Sequence, residues 1–108
     1  MSITQLAESA KDASIALAAI KTDAKNAALS AIAKALAQNA EQIVAENQAD
    51  LAQAQKDNVP DPLLKRLKFD QKKIDAVCAG IQSLIGLDDP TGKTTSATQL
   101  DEGLMLYR

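Results

Sequence analysis

The chain has no histidine and no tryptophan, and only one cysteine, one phenylalanine and one tyrosine among its 108 residues. Each absence closes a class of chemistry. Without His and with a single Cys, a zinc site of the usual Cys/His type cannot be assembled. No His-dependent nucleophile triad is possible either. One Cys excludes an internal disulfide and fits a reducing compartment. The charge is also nearly balanced, with 12 basic and 14 acidic residues and a net charge of −2. That lacks the basic excess of an electrostatic nucleic-acid binder. No apolar run approaches the roughly 20 residues of a membrane span. The N-terminus lacks the basic-then-apolar pattern of a signal peptide. Nucleic acid and membrane are therefore not expected partners, and the expected location is cytoplasmic.

What is present is alanine. Of the 46 % of residues that are hydrophobic, 21 are Ala, and the larger ones are mainly 13 Leu and 8 Ile. Burying a Leu-sized side chain contributes roughly 1.5–3 kcal/mol, against about 0.8 for a single methyl. The length supports one domain, but its core is expected to be thin for that length.

The apolar residues fall on helical periods. Ile3, Leu6, Ala10, Ala13, Leu17 and Ile20 step by three and four, one face of an amphipathic helix, with Ser2 as its N-cap. Lys21–Asp23 interrupts, and Thr22 or Asp23 is expected to cap a second helix carrying Ala28, Leu29, Ile32 and Leu36. Asn39 is the next break. A third helix carries Ile43, Val44, Asn47, Leu51 and Ala54. Lys56–Pro62 reads as a loop, and Pro62 is expected to open a short helix, Leu63–Leu67, from its first position. Asp70 is the N-cap of a fifth helix with Ile74, Val77, Cys78, Ile81, Leu84 and Ile85 on its apolar face, stopped at Gly86. Asp88–Gly92 reads as a turn. Beyond it, Lys93–Thr98 has three Thr and no helical period. Asp101-Glu102-Gly103 signals a turn, and Leu104–Tyr107 a strand, so a hairpin or two extended segments are expected. The fold expected is mainly α, about five amphipathic helices followed by an extended or β-hairpin tail. It divides into a helical module, residues 1–92, and a tail, residues 93–108.

Few side chains invite a chemical role. Gly92-Lys93-Thr94 suggests a phosphate loop, but that motif needs a Gly five positions earlier, after a strand and opening a helix. Leu87 stands there instead, Asp88 and Asp89 would face the phosphates, and a helix precedes. A plain turn is the reading. Lys65, Arg66, Lys68, Lys72 and Lys73 form a basic cluster broken by Asp70, read as a solvated face with one or two weak local ion pairs rather than an anion site. Cys78, on an apolar face with no His to activate it, reads as a buried structural thiol. Asn47 interrupts an apolar row, so its amide must be satisfied, by a neighbouring backbone segment rather than a ligand. Asp50 either does the same or faces solvent. No catalytic, cofactor-binding or metal-binding residue is assigned.

Several segments in order resemble the N-terminal region of the gamma-glutamyl phosphate reductase family. They are Ala10–Leu17 (AKDASIAL), Asn26–Leu36 (NAALSAIAKAL), Ile43–Leu51 (IVAENQADL), Leu63–Leu67 (LLKRL), Ile74 with Gly80-Ile81, Leu87–Gly92 (LDDPTG) and Leu100–Arg108 (LDEGLMLYR). Their spacing covers essentially the whole chain. Two positions depart from the family pattern: Lys65 stands where an acidic residue is usual, and Glu46 replaces the commoner Ala before Asn47. In the family, the segment like Leu100–Arg108 runs into a Pro-Leu-Gly-Val strand that begins the dinucleotide-binding fold, and the catalytic Cys lies later. Cys78 does not match that nucleophile motif.

The resemblance implies the N-terminal part of an α/β enzyme of the aldehyde dehydrogenase superfamily. That enzyme uses NADPH to convert L-glutamyl 5-phosphate to L-glutamate 5-semialdehyde and phosphate in proline biosynthesis. A Cys thiolate would attack the acyl phosphate, and hydride transfer to the resulting thioester would release the aldehyde. The helices would pack on the cofactor domain, and the tail would join a small sheet used in homo-oligomerisation. Glutamate 5-kinase is a candidate partner. The chain is then expected to be a truncated or proteolysed piece, inactive alone and binding no NADPH, whose uncovered apolar faces self-associate. Two alternatives stand: a free-standing helical dimerisation module, or a fragment of another aldehyde dehydrogenase relative.

Overall fold

The computed structural model describes residues 1–108. Five helices come first: α1 (Ile3–Ala18), α2 (Thr22–Gln38), α3 (Ala40–Lys56), α4 (Asp61–Leu67) and α5 (Gln71–Ile85). An antiparallel hairpin follows, β1 (Ala97–Asp101) and β2 (Leu104–Tyr107). The five helices and hairpin tail expected from the sequence are all present.

The helix ends follow local chemistry. Ser2 caps α1 with a reciprocal box: Gln5 N–H donates to the Ser2 hydroxyl oxygen, and Ser2 N–H donates to Gln5 Oε1 at 2.8 Å. The α1 helix stops before Ile20, which lies outside it. At the start of α2 the sequence reading is corrected. Lys21 rather than Thr22 or Asp23 is the N-cap; its ammonium has no acceptor and makes no cap bond, while the Thr22 hydroxyl, one residue inside the helix, donates across the fold to Asp89. Asn39 ends α2 and begins α3. After α3, Asn58 takes the left-handed conformation (φ 56°). Its N–H then reaches the Gln55 carbonyl, and that of Val59 the Ala54 carbonyl, the Schellman arrangement. Helix α4 begins at Asp61, so Pro62 is its second residue rather than its first. Asp70 caps α5, accepting from Lys73 N–H, and Gly86 ends it.

The core is as thin as the alanine content implies. Only Ala33, Ala40, Ala54 and Ile74 are buried, and Ile74 alone is a large side chain with no exposed surface. Small residues let α2 and α5 lie close along each other, while α3 packs against α2, α4 and α5. Neither α1 nor the hairpin packs against any other element. The molecule is therefore elongated, 72 × 32 × 26 Å, with a radius of gyration of 21.1 Å, where a compact domain of this length measures about 13 Å. Its accessible surface is 8771 Å². A compact monomer of this mass exposes roughly 5,800 Å², so about 3,000 Å² is in excess.

Candidate functional site

The largest unexplained feature is uncovered apolar surface. Ile3, Leu6, Ile15 and Leu17 of α1 are all exposed, as is Ile32 of α2. Where α1 meets α2, Leu17, Ala18, Ala28, Leu29 and Ile32 line an open cleft of about 570 Å³. The hairpin adds a second patch. Its register pairs Thr98 with Leu106 and Gln99 with Met105. Leu104 and Leu106 share one face, and Leu100 lies at the bulge between Gln99 and Asp101, opposite the Leu104 end of β2; all three are exposed.

Asn47 makes the backbone contact expected of it. From α3, its Nδ2 donates to the Leu67 carbonyl at 2.9 Å, and its Oδ1 accepts from Phe69 N–H at 2.7 Å. Both ends of one amide thus hold the link between α4 and α5. Asp50, on the same helix, is exposed.

The basic cluster stays spread over the surface, with local contacts only. Lys73 Nζ donates to the Lys65 carbonyl at 3.1 Å and to the Lys68 carbonyl, closing the C-terminal end of α4. Lys68 lies 3.6 Å from Asp70. Asp70 is held below the usual carboxylate range, first by the Lys73 backbone N–H and then by the Lys68 charge. Cys78 is half-buried rather than buried; its thiol donates to the Ala33 carbonyl at 3.6 Å, joining α5 to α2. Gly92-Lys93-Thr94 lies in a turn. Gly92 has φ 78°, Lys93 N–H donates to the Pro90 carbonyl, and Lys93 pairs with Asp88 at 3.1 Å.

One cluster escaped the sequence reading. Asp89 Oδ2 accepts from the Thr22 hydroxyl at 2.8 Å and from Lys25 Nζ at 3.0 Å, while Oδ1 accepts from Thr91 N–H at 2.9 Å. Lys25 Nζ also donates to Thr91 Oγ1 at 3.3 Å. The carboxyl is held well below its ordinary range, chiefly by the Thr91 N–H, then by the Thr22 hydroxyl and Lys25. The local Asp-Pro-Thr turn is visible in the sequence. Its partners on α2, more than 60 residues earlier, carry no local signal.

No group of three or more Cys, Asp or Glu side chains is placed to hold a metal ion. No helix is long and apolar enough to cross a membrane.

Comparison with known proteins gives a consistent answer. No protein-family model matches the chain. Over all 108 residues it is 50 % identical to the gamma-glutamyl phosphate reductase of Pelotomaculum thermopropionicum and 51 % identical to that of Acetivibrio thermocellus. Among solved structures, the gamma-glutamyl phosphate reductase of Saccharomyces cerevisiae matches 99 % of the chain with a TM-score of 0.90 at 38 % identity. The chain spans about 25 % of the length of the two bacterial relatives and 28 % of the yeast chain. The region matched is their N-terminal portion.

Proposed function

We infer that this chain is the N-terminal quarter of an NADPH-dependent reductase of the aldehyde dehydrogenase superfamily. The reaction is conversion of L-glutamyl 5-phosphate to L-glutamate 5-semialdehyde and phosphate, in cytoplasmic proline biosynthesis. The observation that carries this reading is end-to-end similarity at about half identity to proteins named for that reduction. The surface supports it independently. An excess of about 3,000 Å² over a compact monomer is what a piece would expose when its covering partner is the rest of a larger enzyme.

The residues present do not fit NADPH. The turn at Gly92 follows a helix, is preceded by two carboxylates, and has no strand–loop–helix cradle for a pyrophosphate. No reaction step is therefore assigned to this chain. Its proposed work is structural. Residues 1–92 form a helical module whose apolar faces seat against the cofactor domain. Residues 93–108 form an arm that contributes to an oligomerisation sheet in a homo-oligomer. Glutamate 5-kinase, the candidate partner enzyme, would meet the assembled protein rather than this piece.

The test is enzymatic and runs in the reverse direction, from glutamate 5-semialdehyde, phosphate and NADP to NADPH. The whole protein is expected to be active. The 108-residue chain alone is expected to be inert and to show no saturable NADPH heat in calorimetry. Activity in the isolated chain, or none in the whole protein, would overturn the reading.

A further inference from the structure

The hairpin touches no helix, yet it leaves the helical body from a tightly tied point. Closing the Asp-Pro-Thr turn requires only the Thr91 N–H bond to Asp89. The structure adds two donors from α2, Thr22 and Lys25, on the same carboxylate, and binds Lys25 to the Thr91 hydroxyl as well. Asp89 is left only 17 % exposed on a molecule that is otherwise nearly all surface. Pro90 fixes one backbone angle beside the knot. From there the chain turns once through Gly92, where a Cβ would meet no atom within 4 Å, and enters the arm. The tie is carried across Gly92 by Lys93, whose N–H donates to the Pro90 carbonyl and whose Nζ lies 3.1 Å from Asp88 Oδ2.

We propose that the knot of Asp89, Thr22, Lys25 and Thr91 is an orienting anchor that fixes the angle at which the hairpin arm leaves the helical body. The arm carries the exposed Leu100, Leu104 and Leu106, and the α1–α2 cleft offers Leu17, Leu29 and Ile32 on the same chain. Untied, these apolar patches would attract each other. The anchor presents the arm to a partner surface instead of letting it fold back. This inference concerns the geometry of the chain alone and stands whatever the arm docks on.

The measurement is a distance distribution by double electron–electron resonance on doubly labelled chain diluted into an excess of unlabelled chain, so that pairs between associated copies do not contribute. Spin labels are placed at Gln82→Cys on α5 and Glu102→Cys in the hairpin turn, in a Cys78→Ser background that keeps a donor for the Ala33 carbonyl. The chain with the knot intact is expected to give one narrow distance. Asp89→Ala is expected to widen that distribution at least twofold while far-ultraviolet circular dichroism shows the same helix content, and Lys25→Met should widen it less. A distribution equally narrow in Asp89→Ala, or already broad with the knot intact, would overturn the proposal. Should Asp89→Ala lose helix, Thr22→Val is the deciding variant, and an unchanged width there also overturns it.

Discussion

Asn47 and Asp89 show how differently two polar side chains can be legible. An amide in an apolar helical row must find partners, so the contact of Asn47 with backbone could be read from α3 alone. That its partners are Leu67 and Phe69 could not, because nothing local sets the α4–α5 link over that position. Removing this amide leaves the part-buried Phe69 N–H without its acceptor and unlinks the exposed Leu67 carbonyl, at about 1 kcal/mol. Asn47→Ala is therefore expected to lower the melting temperature clearly and Asp50→Ala hardly at all; equal or reversed losses would refute the clamp. Asp89 was hidden because Thr22 and Lys25 lie on a distant helix. Its carboxyl binds its proton less tightly folded than unfolded, where the value is near 3.8. Its contribution to stability is thus full above the ordinary carboxylate range. It declines as pH falls through that range and vanishes only below the depressed folded value. The stability gap between the unaltered chain and Asp89→Asn is expected to be constant from neutral pH to about 5 and to narrow below about 4; a gap that widens on acidification would contradict the knot.

At the scale of elements, the three-and-four spacing of apolar residues located α1, α2, α3 and α5, Pro62 pointed to α4, and Ser2, Asp70 and Gly86 marked ends correctly. The errors came where a cap was assigned by residue type alone. Thr22 has the right hydroxyl but lies one residue inside α2, where it donates to Asp89, and Pro62 sits one position deeper in α4 than its usual preference. Helix α1 exposes a limit of periodicity, which reports a face but not whether anything covers it. A 16-residue helix without tertiary packing is marginal in water. Amides of α1 are expected to exchange with solvent far faster than those of α2 and α5 in hydrogen-exchange mass spectrometry. Ser2→Ala, which removes a cap worth about 1 kcal/mol, is expected to reduce the helical signal of α1 without moving the melting of α2–α5. Protection of α1 equal to that of α5 in the monomer would contradict this.

At the scale of the molecule, alanine already indicated the thin core. A composition rich in methyl groups and nearly without aromatics cannot bury much apolar surface, and the structure buries four residues. What composition cannot convey is direction: that α1 and the hairpin stand away from a small α2–α5 nucleus depends on tertiary contacts. Alone, the chain is expected to self-associate through these faces, with sedimentation coefficients rising with concentration. If these 108 residues serve as the N-terminal quarter of an acyl-phosphate reductase, as proposed above, they should do so inside a relative's enzyme. The chain would replace the matching quarter of the Pelotomaculum thermopropionicum relative, and NADP reduction by glutamate 5-semialdehyde and phosphate would be measured. The expected result is a folded oligomer with a rate within about tenfold of that relative's, a loss of at most about 1.4 kcal/mol in transition-state stabilisation. A chimera that folds and assembles but shows no activity, beside an active relative, would contradict it.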